Sequence, residues 1–293
     1  MSTDDLNDHL SRSAIQDSQP ESTISNQNED EYDEVDILYH AEQFVKEKFQ
    51  NHDPSHDWHH VHRVRLMALN LTRCSSISSK DPDLLVVELG ALFHDLCDAK
   101  YINAEHQKSK TIVRASDVLS NFFKPYLEQC IIDDEQVQTI YRIVDNVSWS
   151  KEEGRIRRMT TSSENQTDLD QQKWEDECVE FQCISDADRL DAIGSIGILR
   201  VAAFSAKKNR PLHIPPANAK NDSKPPAEQA EGYNGSAVAH FHEKLLKIRG
   251  DRLKTEMARE EAERRQSMMS SFLAELDIEW LVADQGAQLS LLQ

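Results

Sequence analysis

The chain has 293 residues, 38% of them apolar, which is enough to bury a large core and excludes a fibre or a miniprotein. Lys and Arg number 33 against 52 Asp and Glu, a formal net charge of −19. This balance argues against a general binder of nucleic acid or of anionic membranes, and any anionic substrate must find a local positive site.

Residues 1–34 carry ten acidic side chains against a single arginine, Arg12, among Ser, Asn and Gln. Such a segment cannot recover the entropy lost on ordering, so a disordered acidic tail is expected. The first residues, MSTDDLNDHL, show no basic and apolar leader pattern, so no secretory signal is expected, and no aliphatic run reaches the roughly 20 residues that span a bilayer. Five cysteines without a C-x-x-C pair suit reduced thiols, and the expected location is cytoplasmic, with the nucleus also open.

From Val35 to Val147 apolar residues recur at helical intervals, and helices are expected over 36–50, 58–73, 83–97, 105–122 and 133–147. The polar stretch 150–175 reads as an exposed loop or a weakly ordered insertion. Core helix is expected to resume over 176–205. Five of the nine prolines then gather in 206–235, a second long surface loop and a candidate lid. Residues 237–283 read as a charged helix with an apolar stripe, for which an arm, a homodimer seam and an ordinary packed helix remain open. Residues 284–293 form a short C-terminal tail. The expected fold class is all-α, with one domain over 35–283.

Five of the twelve histidines lie between His52 and His62. Asp57 suits a helix N-cap, and on the following helix His60, Val64, Met67 and Leu71 share one stripe, so His60 faces inward. His59 and Arg63, four residues apart, flank that face and can reach a shared anion. A second island, VVELGALFHDLCDAKY over 86–101, is an apolar helix ending in His94, Asp95, Asp98 and Lys100. With Asp98 one turn beyond His94, an imidazole and two carboxylates can converge, and a divalent cation removes the cost of burying their charge. A third island, 183–204, places Asp188 and Asp191 on an otherwise apolar helix, where the bland reading is an internal ion-pair network with Arg189. Its Ala187, Ala192, Gly194 and Gly197 let another helix approach closely. Two inward histidines and two inward aspartates make a mixed nitrogen and oxygen set that balances one divalent ion and favours Mn²⁺, Fe²⁺, Co²⁺, Ni²⁺ or Zn²⁺, with Mg²⁺ also admitted.

The ordered set His60-x-x-Arg63-Val64, His94-Asp95-x-x-Asp98 and Asp186-Ala187-Asp188-Arg189-Leu190-Asp191-Ala192-Ile193-Gly194 resembles the signature of the HD-domain metal-dependent phosphohydrolase superfamily. The likeness is closest to a compact bacterial subgroup reading HDWxHxxRV, HDxxD and DADRLDAIG. The resemblance covers most of 36–283 and implies an HD-domain helical bundle with an extended C-terminal helical segment. It implies His60, His94, Asp95 and Asp188 as ligands of one divalent metal, and Asp98 as the acid that handles the attacking water. Lys100, Arg63 and Arg189 become candidates for phosphate contact or support, and Asp191 for orienting a ligand.

The implied substrate is a small phosphorylated molecule, a nucleotide for choice, cleaved at an ester or anhydride bond by activated water. The alternatives are a non-catalytic nucleotide-binding HD module and a dinuclear HD phosphodiesterase or oxygenase. The latter needs further histidines between Asp95 and Asp188, where only His106 stands. The tail, the 150–175 segment and the Pro-rich loop depart from the compact pattern.

Overall fold

The computed structural model describes residues 33–97, 113–161, 165–215 and 227–290. The expected acidic tail therefore lies outside the described residues, apart from Asp33 and Glu34. Among the described residues the fold is all-α, with no strand and no helix long and apolar enough to cross a membrane.

Helices α1 (Glu34–Phe49), α2 (Trp58–Leu71), the single turn α3 (Ser75–Ser78) and α4 (Leu84–Phe93) build the first half of the core. Each long one starts at an aspartate whose carboxylate accepts the orphan N–H groups of the first turn: Asp33 for α1, Asp57 for α2 and Asp83 for α4. Helix α4 is apolar nearly all round and lies at the centre, with α1, α2, α6 (Asp134–Asn146) and α9 (Val179–Asp191) against it. Gly90 is the reason α9 comes so near: a Cβ there would stand 2.7 Å from Ile184 Cδ1. Helix α5 (Ala115–Glu128) adds Phe122, Phe123 and Tyr126 to an aromatic cluster with Phe44 and Phe93.

The expected loop over 150–175 is corrected by the structure, which forms α7 (Trp149–Thr161) and α8 (Gln166–Glu177) there, with 162–164 outside the described residues. The apolar stripe that signals a helix is thin because ion pairs take its place. Arg155 meets Glu175 with both side chains buried, Arg158 holds Asp168 through two bonds of 2.7 and 2.8 Å, and Glu152 meets Arg189 of α9. The expected helix over 176–205 is broken in two. Helix α9 stops at Asp191, and α10 (Gly194–Lys207) starts on Gly194 at φ 75°, a left-handed conformation that favours glycine. A Cβ on Gly194 would also meet Arg265 Cγ at 2.9 Å.

The expected helix over 237–283 is likewise corrected. Helix α11 (Ala237–Glu243) is followed by two 3₁₀ turns, and only α12 (Glu256–Asp284) is long. Leu245, Ile248 and Leu253 are buried as expected, but from turns; Gln266 of α12 donates to the carbonyls of Leu245 and Ile248 and so satisfies the irregular backbone. Within the Pro-rich segment, residues 216–226 lie outside the described residues. Its flanks are tied by the buried Glu228, which accepts from Ser236 Oγ, His213 Nδ1 and the Ile214 N–H. All five cysteines are free thiols.

Candidate metal centre

Helix α2 presents His60 to the interior, on a buried stripe with Val61, Val64, Ala68 and Leu71. Helix α4 ends at Phe93, and the chain turns through His94, Asp95, Leu96 and Cys97 rather than continuing helical to 97 as expected. The turn serves the site: the His94 Nδ1–H donates to the Ala91 carbonyl at 2.8 Å, which leaves Nε2 as the lone-pair atom facing inward. In His60 the Nδ1–H donates to Asp191 Oδ2 at 2.7 Å, with the same consequence.

The two Nε2 atoms stand 3.3 Å apart. Asp95 Oδ2 lies 3.4 Å from His60 Nε2 and 3.6 Å from His94 Nε2, and Asp188 Oδ1 lies 3.7 and 3.8 Å from the same two atoms. The four side chains named from the sequence thus come together from α2, the turn after α4, and α9. The ligand atoms of His60, His94 and Asp95 all lie within 4.8 Å of one another, with Asp188 Oδ1 beside the two imidazoles at the edge of that group, and imidazole lone pairs packed against carboxylate oxygens repel one another unless a cation lies between them. Asp95 Oδ2 is moreover buried with no hydrogen-bond donor. The donor set fits a divalent ion.

Behind His60, Asp191 accepts hydrogen bonds from two side chains, His60 as above and Arg63 through Nε at 2.7 Å and Nη2 at 3.1 Å, and forms an ion pair with Arg200 Nη1 at 3.2 Å. Burial pushes the Asp191 carboxyl up, but the hydrogen bonds from His60 and Arg63 and the charge of Arg200 outweigh it and hold the group well below the usual carboxylate range. Burial also pushes Asp95 up, and the nearby imidazoles of His94 and His60 overcome it, again far downward. Burial and Arg200 pull His60 down, whereas Asp191 and Asp95 prevail and raise it.

Not every residue singled out in the sequence belongs to this cluster. His59 is exposed on the outer face of α2. The Arg63 guanidinium is committed to Asp191. Arg189 is 3% exposed, paired with Glu152 and Ser185 Oγ and set against the Trp149 ring at 5.6 Å, which is the internal ion-pair network that stood as the alternative to a phosphate contact. Asp186 faces away as well, accepting from the Lys254 and Thr255 N–H groups at 2.9 and 2.7 Å and from Thr255 Oγ1 at 2.9 Å, where α12 begins. Asp98 and Lys100 lie outside the described residues.

Sequence reasoning missed Arg200 and His56. Arg200 sits two turns into α10, its Nε donating to the Ser55 carbonyl at 2.6 Å. His56, 5.7 Å from His60 between ring centroids, belonged to the histidine-rich segment but to no helical stripe. Both line a cleft of about 240 Å³ with Phe204, Asn234, His240 and Lys244. Arg200 and Lys244 give this cleft two cationic side chains in an otherwise acidic chain.

No protein-family model matches the sequence. The chain is 29% identical over 246 residues to the Bacillus subtilis protein YpgQ, spanning 82% of this chain and 93% of that one. A crystal structure of B. subtilis YpgQ in complex with ADP superposes with a TM-score of 0.53 at 25% identity, covering 83% of this chain and 97% of the other. An HD-superfamily hydrolase from Bacillus thuringiensis superposes with a TM-score of 0.52 at 25% identity, over 84% and 98% of the two chains. The chain is similar in fold to HD-superfamily proteins. The His-Asp pair read from the sequence is His94-Asp95, and the structural neighbours of this chain include an HD-superfamily hydrolase and a protein in complex with ADP.

Proposed function

We propose that this HD-domain protein is a metal-dependent phosphohydrolase that cleaves a phosphate ester or anhydride bond of a small molecule, with a nucleotide as the preferred class. The observation that carries the reading is the convergence of His60, His94, Asp95 and Asp188 with the two Nε2 atoms 3.3 Å apart. Those four side chains would hold one divalent ion, leaving coordination positions for water and a phosphate oxygen. When bound, the ion supplies Lewis acidity toward a phosphoryl oxygen and toward water.

The chain's own residues do the rest. Asp191 and the Ala91 carbonyl each hold a proton on Nδ1 of an imidazole, so that His60 and His94 both present Nε2. Arg63 and Arg200 neutralise Asp191 and keep it anionic. Asp98, by its place in the HD-x-x-D motif, takes the proton from the attacking water at its carboxylate, and Lys100 stands near the same motif as a phosphate contact. The cleft with His240 and Lys244 binds the anionic part of the substrate, Arg200 remains on Asp191 at its inner edge, and Phe204 covers an apolar part. Support for the nucleotide class comes from YpgQ in complex with ADP.

The test is a phosphate-release and pyrophosphate-release screen of nucleotides and sugar phosphates with Mn²⁺, Co²⁺ and Mg²⁺, run beside Asp95→Ala. Metal-dependent turnover that disappears in Asp95→Ala is expected. Equal turnover in both proteins would refute the metal assignment, and metal-dependent nucleotide binding without any turnover would favour a non-catalytic module.

A further inference from the structure

Helices α6, α7 and α8 enclose a cleft of about 420 Å³ that shares no residue with the metal centre or with the Phe204 cleft. Its walls carry four cationic side chains, Arg142, Lys151, Arg155 and Arg158, against two carboxylates, Asp168 and Asp170, with Asn146, Thr167 and Gln171 as neutral polar groups. With Glu175, which pairs with Arg155 behind the wall, four cations stand against three carboxylates, a local net positive charge in a chain of net charge −19.

Two of the cations are spent on carboxylates: Arg158 on Asp168, and Arg155 on Glu175. Asp170 accepts from Gln166 Nε2 at 2.7 Å. The other two cations are matched by no carboxylate among the described residues. Arg142 donates from Nε to Gln171 Oε1 at 3.0 Å and lies over the Trp174 ring at 4.2 Å, and Lys151 donates to the Asp145 carbonyl at 2.5 Å. Trp174 and Gln171 therefore hold the Arg142 guanidinium in place through neutral groups, and its charge is left for something else. Arg155, 3% exposed, lines the same cleft with its Nε buried and unpartnered. A buried guanidinium N–H without an acceptor is a cost that a bound oxyanion removes.

We propose that this cleft is a second anion site, separate from the metal centre, and that it takes a phosphate-type oligoanion such as inorganic phosphate or pyrophosphate. Several oxygens spread over tetrahedral centres suit a forked guanidinium and an ammonium approaching from different helices, and the volume falls in the range of small-molecule pockets. The site stands independently of the hydrolytic reading.

Calorimetric titration of the full chain with inorganic phosphate and with pyrophosphate tests it, in the wild type, in Asp188→Asn, and in Lys151→Gln and Arg142→Gln. Binding that survives in Asp188→Asn and weakens roughly tenfold for each cation removed is expected, each loss being that of one charge-assisted hydrogen bond. Lys151 is exposed, so Lys151→Gln folds even if Arg142→Gln does not. Binding of both anions that is abolished by Asp188→Asn would place them at the metal centre and overturn the proposal. Affinity unchanged in both cation variants, or no heat with either anion, would overturn it too.

Discussion

Replacing Asp191 by Asn isolates the group that orients His60 without changing its size. The carboxylate answers one imidazole and two guanidiniums, and Asn keeps the shape while losing the charge and one acceptor. Two effects follow. Arg200, with a side chain 11% exposed, is left facing a neutral amide, and removal of one member of a buried pair costs about 3–5 kcal/mol. Arg63 is 36% exposed and solvent screens its share, so the expected loss of stability is near the lower end of that range, about 3 kcal/mol.

The second effect is on His60, whose Nδ1 can now accept from the amide NH₂ and move its proton to Nε2, where it blocks coordination. Loss of such an orienting partner lowers metal affinity by about 10–100-fold. Urea unfolding followed by tryptophan fluorescence reads the first effect, and Mn²⁺ titration of the folded variant reads the second. An Asp191→Asn protein that binds Mn²⁺ within twofold of wild type would refute the reasoning that Asp191 sets the tautomer of His60.

Two further outcomes follow from charged groups remote from the cluster. Burial raises the Glu152 carboxyl while Arg189 and Arg252 overcome it, so its folded pKa lies below the unfolded value near 4.5. Its contribution to stability is thus present above that value and lost as pH falls through the folded pKa, and Glu152→Gln should flatten the acid limb of a stability curve below about pH 4.5; an unchanged limb would contradict the pairing. Asp186 shows the opposite direction, its carboxyl pushed up by burial against the N–H groups of Thr255 and Lys254. Its bonds need only an oxygen acceptor, so Asp186→Asn should melt close to wild type, whereas Asp186→Ala should lose about 1–3 kcal/mol by orphaning the start of α12; equal losses in thermal unfolding would contradict that account.

The helices over 36–50, 58–73 and 133–147 were legible because each carries an apolar face on a 3.6-residue period with an aspartate at its start. The convergence of His60, His94, Asp95 and Asp188 was legible for a related reason, since polar side chains on apolar stripes have to meet something. Helices α7 and α8 were hidden because Arg155, Glu175, Arg158 and Asp168 are bound to each other, and a sequence displays their charges but not their pairing. Arg189 misled in the same way: beside Asp188 in sequence, it points about 100° round the helix and meets Glu152 instead. Arg200 gave no signal, being an arginine on an amphipathic helix whose partner, Asp191, comes from the helix before.

Within six residues α9 sends Asp186 to the root of α12, Asp188 to the cluster, Arg189 to α7 and Asp191 to α2 and α10. This one stretch works as a keystone, locking only when the elements around it have arrived. The cluster joins positions 60, 94 and 95 to position 188, so a chain emerging from the ribosome does not assemble it until its second half has docked. Metal would then reward the finished fold instead of templating it, slowing unfolding far more than it speeds refolding.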